Sequence, residues 1–268
     1  MRVMTWNLWW QFGPWEERQA AIAQVIADAQ PDVLLLQEVW SQGSDSSARR
    51  LAELMGYQHA LTDDPFAHRR DGNPGFHNAI VSRWPLHDIA SHPLPRADGA
   101  VGHRRALSAV VVAPSGLRWP TVSTHLDHRF DDSLLRQVQC ESLLAIVNGI
   151  RSDPAVDPPV IIGGDFNAPP DSDEIRMLTG RSATPIAGLV LSDCWEHVGD
   201  GTGATWRRDN PYQSATAWPN RRLDYVFVSW PRPKPLGNPV RAWLTGLEPV
   251  DGVVPSDHAA VVVDLISE

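Results

Sequence analysis

A set of polar residues in this chain shares one chemistry: Asn7, Glu38, Asn78, His125, Asp165, Asn167, Asp224, Asp257 and His258. Each stands at or beside the end of a predicted strand. Together they supply hard oxygen ligands and imidazoles, without the Cys-His spacing of a zinc site. Such a set suits Mg²⁺, with Mn²⁺ as the alternative, acting on a phosphate ester. Taken singly, each residue has an ordinary explanation. Asn7 can cap a turn, Glu38 can be a solvated carboxylate, His125 a core histidine, and Asp257-His258 a loop pair. The recurrence of these types at strand ends is what raises the expectation of a site.

The central stretch is Val160-Ile161-Ile162-Gly163-Gly164-Asp165-Phe166-Asn167. Its β-branched run suits a buried strand. The two glycines are expected to end that strand and to leave room where something comes close. Asp165 and Asn167 are two apart, so both can face one site while Phe166 faces away. Read alone, the segment is equally an Asx turn closing a strand.

The elements that must position these groups follow from periodicity. Arg2 to Trp6 reads as a strand ending in Asn7, and Val33 to Leu36 as a fully apolar strand ending in Gln37-Glu38. Strands apolar on both sides suit a sheet covered on both faces. Helices are predicted over Glu16–Ala29, with Ala20, Ile22, Ala23, Val25, Ile26 and Ala29 apolar, over Ser47–Met55, and over Leu134–Ile150. A short helix is predicted over Asp171–Leu178. Further strands are His77–Ser82, Leu86–Leu94, Leu223–Ser229 and Ala259–Leu265, and a hairpin pairs Arg105–Ala113 with Leu117–Thr124. Asp63 to Gly75 and Gly199 to Asn220 read as polar loops. The alternation implies two facing sheets with helices outside, divided near Gly116.

Composition narrows the function classes. The 268 residues carry 23 basic against 32 acidic side chains, a net charge of -9, and no basic run. That argues against tight duplex DNA binding but not against a nuclease, because a metal cation can offset acidic groups locally. The 2 cysteines, Cys140 and Cys194, are expected to be buried free thiols. No apolar stretch is long enough for a membrane span and the N-terminus lacks a signal-peptide pattern, so a cytoplasmic monomer is expected. The 12 tryptophans include Trp6, Trp9, Trp10, Trp206 and Trp218 beside polar motifs. Most are expected to pack the core and rim, and a few to wall a substrate cleft.

The ordered motifs Thr5-Trp6-Asn7, Leu36-Gln37-Glu38, Asn78-Ala79-Ile80, Thr124-His125-Leu126, Gly164-Asp165-Phe166-Asn167, Arg222-Leu223-Asp224-Tyr225 and Ser256-Asp257-His258 closely resemble the endonuclease/exonuclease/phosphatase superfamily. They span nearly the whole chain, as one domain. The resemblance implies a deoxyribonuclease-I-like, four-layer α/β sandwich of two facing mixed β-sheets with helices outside. It implies that Glu38 is the principal metal ligand, with Asn7 nearby and Asp257 approaching from the opposite side. It implies that Asp165 activates water, that Asn167 positions the water or a phosphate oxygen, that Asp224 holds His258, and that His125 contacts phosphate. Asn78, Arg104 and Trp206 are assigned to substrate contact.

The chain departs from several nucleases of that group by placing Leu8-Trp9 after Asn7 where they carry an acidic residue. A phosphodiester is the expected substrate class, and nucleic acid, lipid headgroup and small diesters all stay open within it. The competing reading is an inactive binding protein on the same scaffold. It is disfavoured because Glu38, Asp165, Asp224 and His258 are all present.

Overall fold

The computed structural model describes residues 1–63, 74–96, 101–213 and 217–268. Most of the predicted Asp63–Gly75 loop, and residues 214–216 of the later one, lie outside these. The strands are β1 (Arg2–Asn7), β2 (Val33–Gln42), β3 (Asp45–Ser46), β4 (Gln58–Leu61), β5 (Gly75–Ser82), β6 (Leu86–Pro95), β7 (Val101–Val112) and β8 (Arg118–His125). They continue as β9 (Ile161–Asp165), β10 (Val190–Asp193), β11 (Asp224–Trp230), β12 (Pro239–Thr245) and β13 (Ala260–Leu265). The helices are α1 (Trp15–Ala29), α2 (Ser47–Met55), α3 (Ser133–Ile150), α4 (Asp173–Leu178) and α5 (Cys194–Val198).

Among the described residues the strands form two mixed sheets. One runs β12-β13-β1-β2-β5-β4, with β3 on β2, and the other β10-β11-β9-β8-β7-β6. The expected division near Gly116 is not observed. Gly116 turns the β7–β8 hairpin inside the second sheet. The first sheet instead joins strands from the start of the chain to β12 and β13 at its end, because β13 pairs antiparallel with β1. Local periodicity carries no information about that long-range pairing.

Side-chain alternation sorts the core into three layers. Val3, Val33, Leu35 and Ile80 meet Val111, Trp119, Ile161 and Val226 between the sheets. Met4, Trp6, Leu34 and Leu36 point the other way, onto Ile22 and Ile26 of α1 and Leu51 of α2. Val122, Ile162 and Phe227 point outward onto Leu143, Leu144 and Val147 of α3. These three interfaces make the four-layer sandwich. The short α5 differs, with Cys194 and Trp195 joining the layer between the sheets. Both cysteines are free and buried.

α1 departs from its predicted apolar stripe. Ala20 is exposed, and the buried stripe is Arg18, Ala21, Ile22, Val25, Ile26 and Ala29. Arg18 is fully buried. Its Nη1 donates to the carbonyls of Leu8 and Pro255, and its Nη2 to those of Trp9, Trp10 and Phe12. The planar fork thereby ties the loop after β1 to the loop before β13. Those carbonyls lie outside any ladder and need such donors when buried.

The glycines of the central stretch lie inside β9 and do not end it. Gly163 pairs with Ser123 and Val226, and Gly164 with Thr124 and Tyr225. A Cβ on Gly163 would sit 2.5 Å from Leu35 Cδ1 and 3.1 Å from Thr5 Cβ, both in the facing sheet. A Cβ on Gly164 would sit 2.2 Å from the Thr124 carbonyl oxygen. Leu35 can rotate away, but a laddered carbonyl cannot. Gly163→Ala is therefore expected to cost about 1–3 kcal/mol, the usual range for overpacking, and Gly164→Ala more. Urea denaturation of both variants checks the order; a larger loss for Gly163→Ala contradicts this account of the contacts.

Candidate functional site

The parallel pairs β1–β2 and β8–β9 all finish at one end of the sandwich. β11 starts there, running antiparallel to β9, and so does β13, antiparallel to β1. The predicted residues converge for that reason. In register, Asp165 is flanked by His125 on β8 and Asp224 on β11. A cleft of about 970 Å³ opens above them, lined by Asn7, Glu38, Arg104, His125, Asp165, Asn167, Trp206, Asp257 and His258 among others.

Glu38 does not stand at a strand end. β2 continues to Gln42, and its pairing with β5 shifts between Leu36/Ala79 and Val39/His77. Gln37 and Glu38 thus oppose a single residue, Asn78. Glu38 adopts φ of +53°, in the left-handed region. This β-bulge turns the carboxylate into the cleft while the strand runs on. Backbone bonds from Leu8 N–H to the Gln37 carbonyl and from Trp10 N–H to the Glu38 carbonyl hold the kink.

Asn7 sits between two acids. Its Nδ2 donates to Glu38 Oε1 at 3.2 Å and to Asp165 Oδ2 at 3.0 Å, while its Oδ1 accepts from Trp9 N–H at 2.9 Å. The amide nitrogen, not the oxygen, faces the carboxylates. Asn167 follows Asp165 at φ of +52°. Its backbone N–H donates to Asp165 Oδ1, and its Nδ2 donates to the Leu126 carbonyl. Phe166 turns away into the outer core beneath α3.

His258 and Asp224 are paired, with Nδ1 to Oδ2 at 2.8 Å. Asp224 does not line the cleft; it stands behind the imidazole. Burial would lower the His258 pKa, but Asp224, Asp257 and Asp165 outweigh it and raise it well above the usual histidine value. His125 is the opposite case. Burial, then Arg104, push its pKa well down, so its 3.4 Å approach to Asp165 is not an ion pair but a neutral imidazole beside a carboxylate.

Three acids are crowded at the floor. Burial, then Asp257, push the Glu38 pKa up to about 7. Burial, then Asp224, push Asp165 up to about 6. Burial also raises Asp257 despite the nearby His258 and Arg18, and Gln213 Nε2 donates to its Oδ2 at 2.7 Å. Glu38 Oε2 is buried without a hydrogen-bond partner. An orphaned carboxylate oxygen among acids of raised proton affinity is what a hard divalent cation would relieve, so these residues fit one. Asp165, Asp224 and His258 also approach within 4.8 Å of one another, as a metal triad could. The 2.8 Å His258–Asp224 bond already engages two of these groups, so the oxygens on the Glu38 side are the better match to a hard divalent cation.

Asn78 is not brought to the main cleft. It is buried, and its Nδ2 donates to the Arg105 carbonyl at 2.7 Å, tying β5 to β7 across the sheets. Arg104 is brought there, half-buried, with Nη2 3.2 Å from His128 Nδ1. Trp206 forms a wall and is bridged to His258. Tyr212 pins its loop to the body, its ring packed at a tilt against Trp9 with centroids 4.4 Å apart and its hydroxyl donating to the Val254 carbonyl. Trp218 stays at the rim.

The sequence reading did not single out Arg18, Gln213, Phe12, Phe76 or Phe130, which frame the cleft or its loops. Arg18 left a signal, a lone charge at i−3 and i−4 to Ala21 and Ile22 on an apolar helix face. Phe130 left another, an aromatic directly after His128-Arg129. Gln213 left none.

The architecture is shared with known structures. The human Nocturnin catalytic domain, solved with a bound sulfate anion, superposes with a TM-score of 0.74 at 26% identity, covering 99% of this chain and 92% of that one. An endonuclease/exonuclease/phosphatase from Beutenbergia cavernae DSM 12333 gives 0.72 at 26% identity, covering 99% and 71%. D. rerio TDP2, complexed with a single-strand DNA product, gives 0.73 at 22% identity, covering 98% and 97%, and at that identity shares the fold alone. Among curated proteins none matches the chain significantly. No helix among the described residues is long and apolar enough to cross a membrane. The family model covers residues 4–258, from β1 to His258 at the cleft floor, and on that evidence the chain belongs to the Endonuclease/Exonuclease/phosphatase family, whose members are generally metal-dependent phosphoesterases and nucleases.

Proposed function

We propose that this chain is an Mg²⁺-dependent phosphodiesterase that hydrolyses its substrate in the cleft between the two sheets. The observation that carries this reading is Asp165. It is buried between His125 and the His258–Asp224 pair and is bridged by Asn7 to Glu38. Glu38, with its orphaned Oε2, and Asp257 would hold the cation. When bound, the cation would neutralise charge on the phosphoryl oxygens.

The chain's own groups divide the remaining work. Asp165, with its pKa near 6, is basic enough to take a proton from an attacking water yet ionised near neutrality. Asn7 fixes the carboxylate through its Nδ2, and Asn167 lines the cleft beside it, placed to orient that water. His258 keeps its cationic form because Asp224 accepts from Nδ1, so Nε2–H can donate to a phosphoryl oxygen as negative charge grows there. His125 is neutral and adds a hydrogen bond without a further charge. Arg104 faces Glu38, Asp165 and Asp127 and supplies a fixed cation at the wall.

Turnover of bis(p-nitrophenyl) phosphate with Mg²⁺, compared with the monoester, tests the reading. The diester is expected to be the better substrate and a chelator to abolish the reaction. Asp165→Asn is expected to lower kcat by about 10²–10⁴. Diester hydrolysis that ignores both the chelator and Asp165→Asn would sink the proposal.

Glu38→Gln keeps the shape and removes the charge. Its Mg²⁺ affinity by calorimetry is expected to fall by more than roughly tenfold, the low end for disturbing even outer-shell partners of a metal. Its unfolding midpoint is expected to hold or rise, since a crowded acid has gone. Unchanged affinity would remove Glu38 from the metal site.

Asp224 and His258 are expected to act as a unit. A double-mutant cycle on kcat/KM with Asp224→Asn and His258→Ala should give a double loss close to either single loss. Additive losses would mean that the two residues work separately.

A further inference from the structure

The second sheet carries a recess at the end away from the catalytic groups. β11 starts at Asp224 behind His258 and ends at Trp230, about 20 Å further on at the usual rise of a strand. A space of about 820 Å³ opens there between the edge strand β10, α5 and the connector to β12. Arg181, Ser192, His197, Trp230, Arg232 and Lys234 stand on its walls, and it shares no lining residue with the central cleft.

The charges of this recess do not balance. Its two acids are already engaged: Asp193 accepts from Arg222 Nη1 at 2.9 and 2.7 Å, and Glu196 pairs with Arg181. Arg232 is only 9% exposed, yet among the described residues no carboxylate lies within ion-pair distance of it. Neutral acceptors hold its fork. Nη1 donates to Ser192 Oγ at 3.2 Å and to the Ser229 carbonyl at 3.4 Å, and Nη2 donates to Asn238 Oδ1 at 3.1 Å. Nε is buried without a partner. Burial lowers the Arg232 pKa, and the group that opposes this is the Cys194 thiol, which burial itself keeps neutral.

Lys234 adds a second cation. It is the chain's only lysine, it is exposed, and among the described residues it forms no ion pair. Its Nζ lies 5.7 Å from the Trp230 centroid, and the Arg232 guanidinium lies 5.4 Å from the same ring. One indole thus gathers both charges at the recess.

This imbalance selects the occupant. A buried charge is ordinarily paired, and a planar guanidinium beside a flexible ammonium is a phosphate-binding combination. Two uncompensated cations match a dianion, whereas a carboxylate brings a single charge. The space is of the size that holds a small molecule, so the phosphate would be the head of a larger group. We infer that Arg232 and Lys234 form a binding site for a phosphate monoester, remote from the catalytic cleft and independent of its chemistry. A soluble phosphate ester and the head of phosphatidic acid share that group.

The single lysine makes the site addressable. Reductive methylation with ¹³C-formaldehyde labels Lys234 and the N-terminal amine and keeps the lysine charge. Glycerol 3-phosphate, titrated in EDTA, is expected to shift the Lys234 methyl resonance to saturation, and acetate to bind at least roughly tenfold more weakly. Asn238→Asp places a carboxylate on Arg232 with little change of shape. It is expected to hold or raise the unfolding midpoint and to weaken glycerol 3-phosphate at least roughly tenfold, as is Arg232→Met. His258→Ala, in the cleft, is expected to leave the Lys234 shift in place. Cosedimentation of the unlabelled protein with phosphatidylcholine vesicles, with and without phosphatidic acid, separates a lipid head from a soluble ester. Binding to either source supports the site if Asn238→Asp removes it. No response to glycerol 3-phosphate or to the phosphatidic acid vesicles overturns the inference, and so does acetate binding as tightly. Binding that survives both Asn238→Asp and Arg232→Met, or a Lys234 shift that vanishes in His258→Ala, overturns it as well.

Discussion

The two sheets approach one another at a residue with no side chain. Gly163 on β9 packs against Leu35 and Thr5 of the facing sheet, and there is no room for even a methyl group between them. Two residues on, Asp165 comes within hydrogen-bond distance of Asn7, which in turn reaches Glu38. Glu38 of one sheet and Asp165 of the other share a single amide because the strands beneath them are this close. A side chain at Gly163 would press on Leu35 and Thr5 at the point where the two sheets are closest.

Closeness creates an electrostatic problem that the fold answers locally. Glu38, Asp165, Asp224 and Asp257 stand at one sheet end, and buried like charges raise one another's proton affinity. Protonated His258 supplies positive charge inside the cluster, Arg104 at its wall, and Arg18 behind Asp257. Arg18 serves twice, since the same guanidinium bonds the carbonyls of the two loops that flank the site. The compensation is incomplete at Glu38, whose Oε2 has no partner. That shortfall is the structural argument for a cation.

The cleft also separates local charge from net charge. The chain as a whole is acidic at -9, yet Arg104, Arg129, His128 and Arg221 gather on one side of the opening, beside exposed rings. A net charge bounds long-range steering and says little about one groove. Arg104 gained this neighbourhood only when β7 and the loop after β8 were set side by side.

Much of this was legible in the sequence because it depends on local order. Strand patterning, the run of apolar residues before Glu38, the helix over Ser47–Met55 and the polar residues at strand ends all come from the period of the chain, and the ordered motifs pointed to the fold and the family. The tertiary structure decided the rest. It closed the first sheet with β13, which no local pattern encodes. It showed β2 bulging at Glu38 and running on to Gln42, because β5 continues to pair beyond the kink. It drew Asn78 into a bond with Arg105 and away from the main cleft, put Asp224 behind His258, and buried Arg18 in the stripe where alanine had been expected. Each depends on which distant backbone groups need a partner once the sheets have met, and a one-dimensional pattern does not contain that distance.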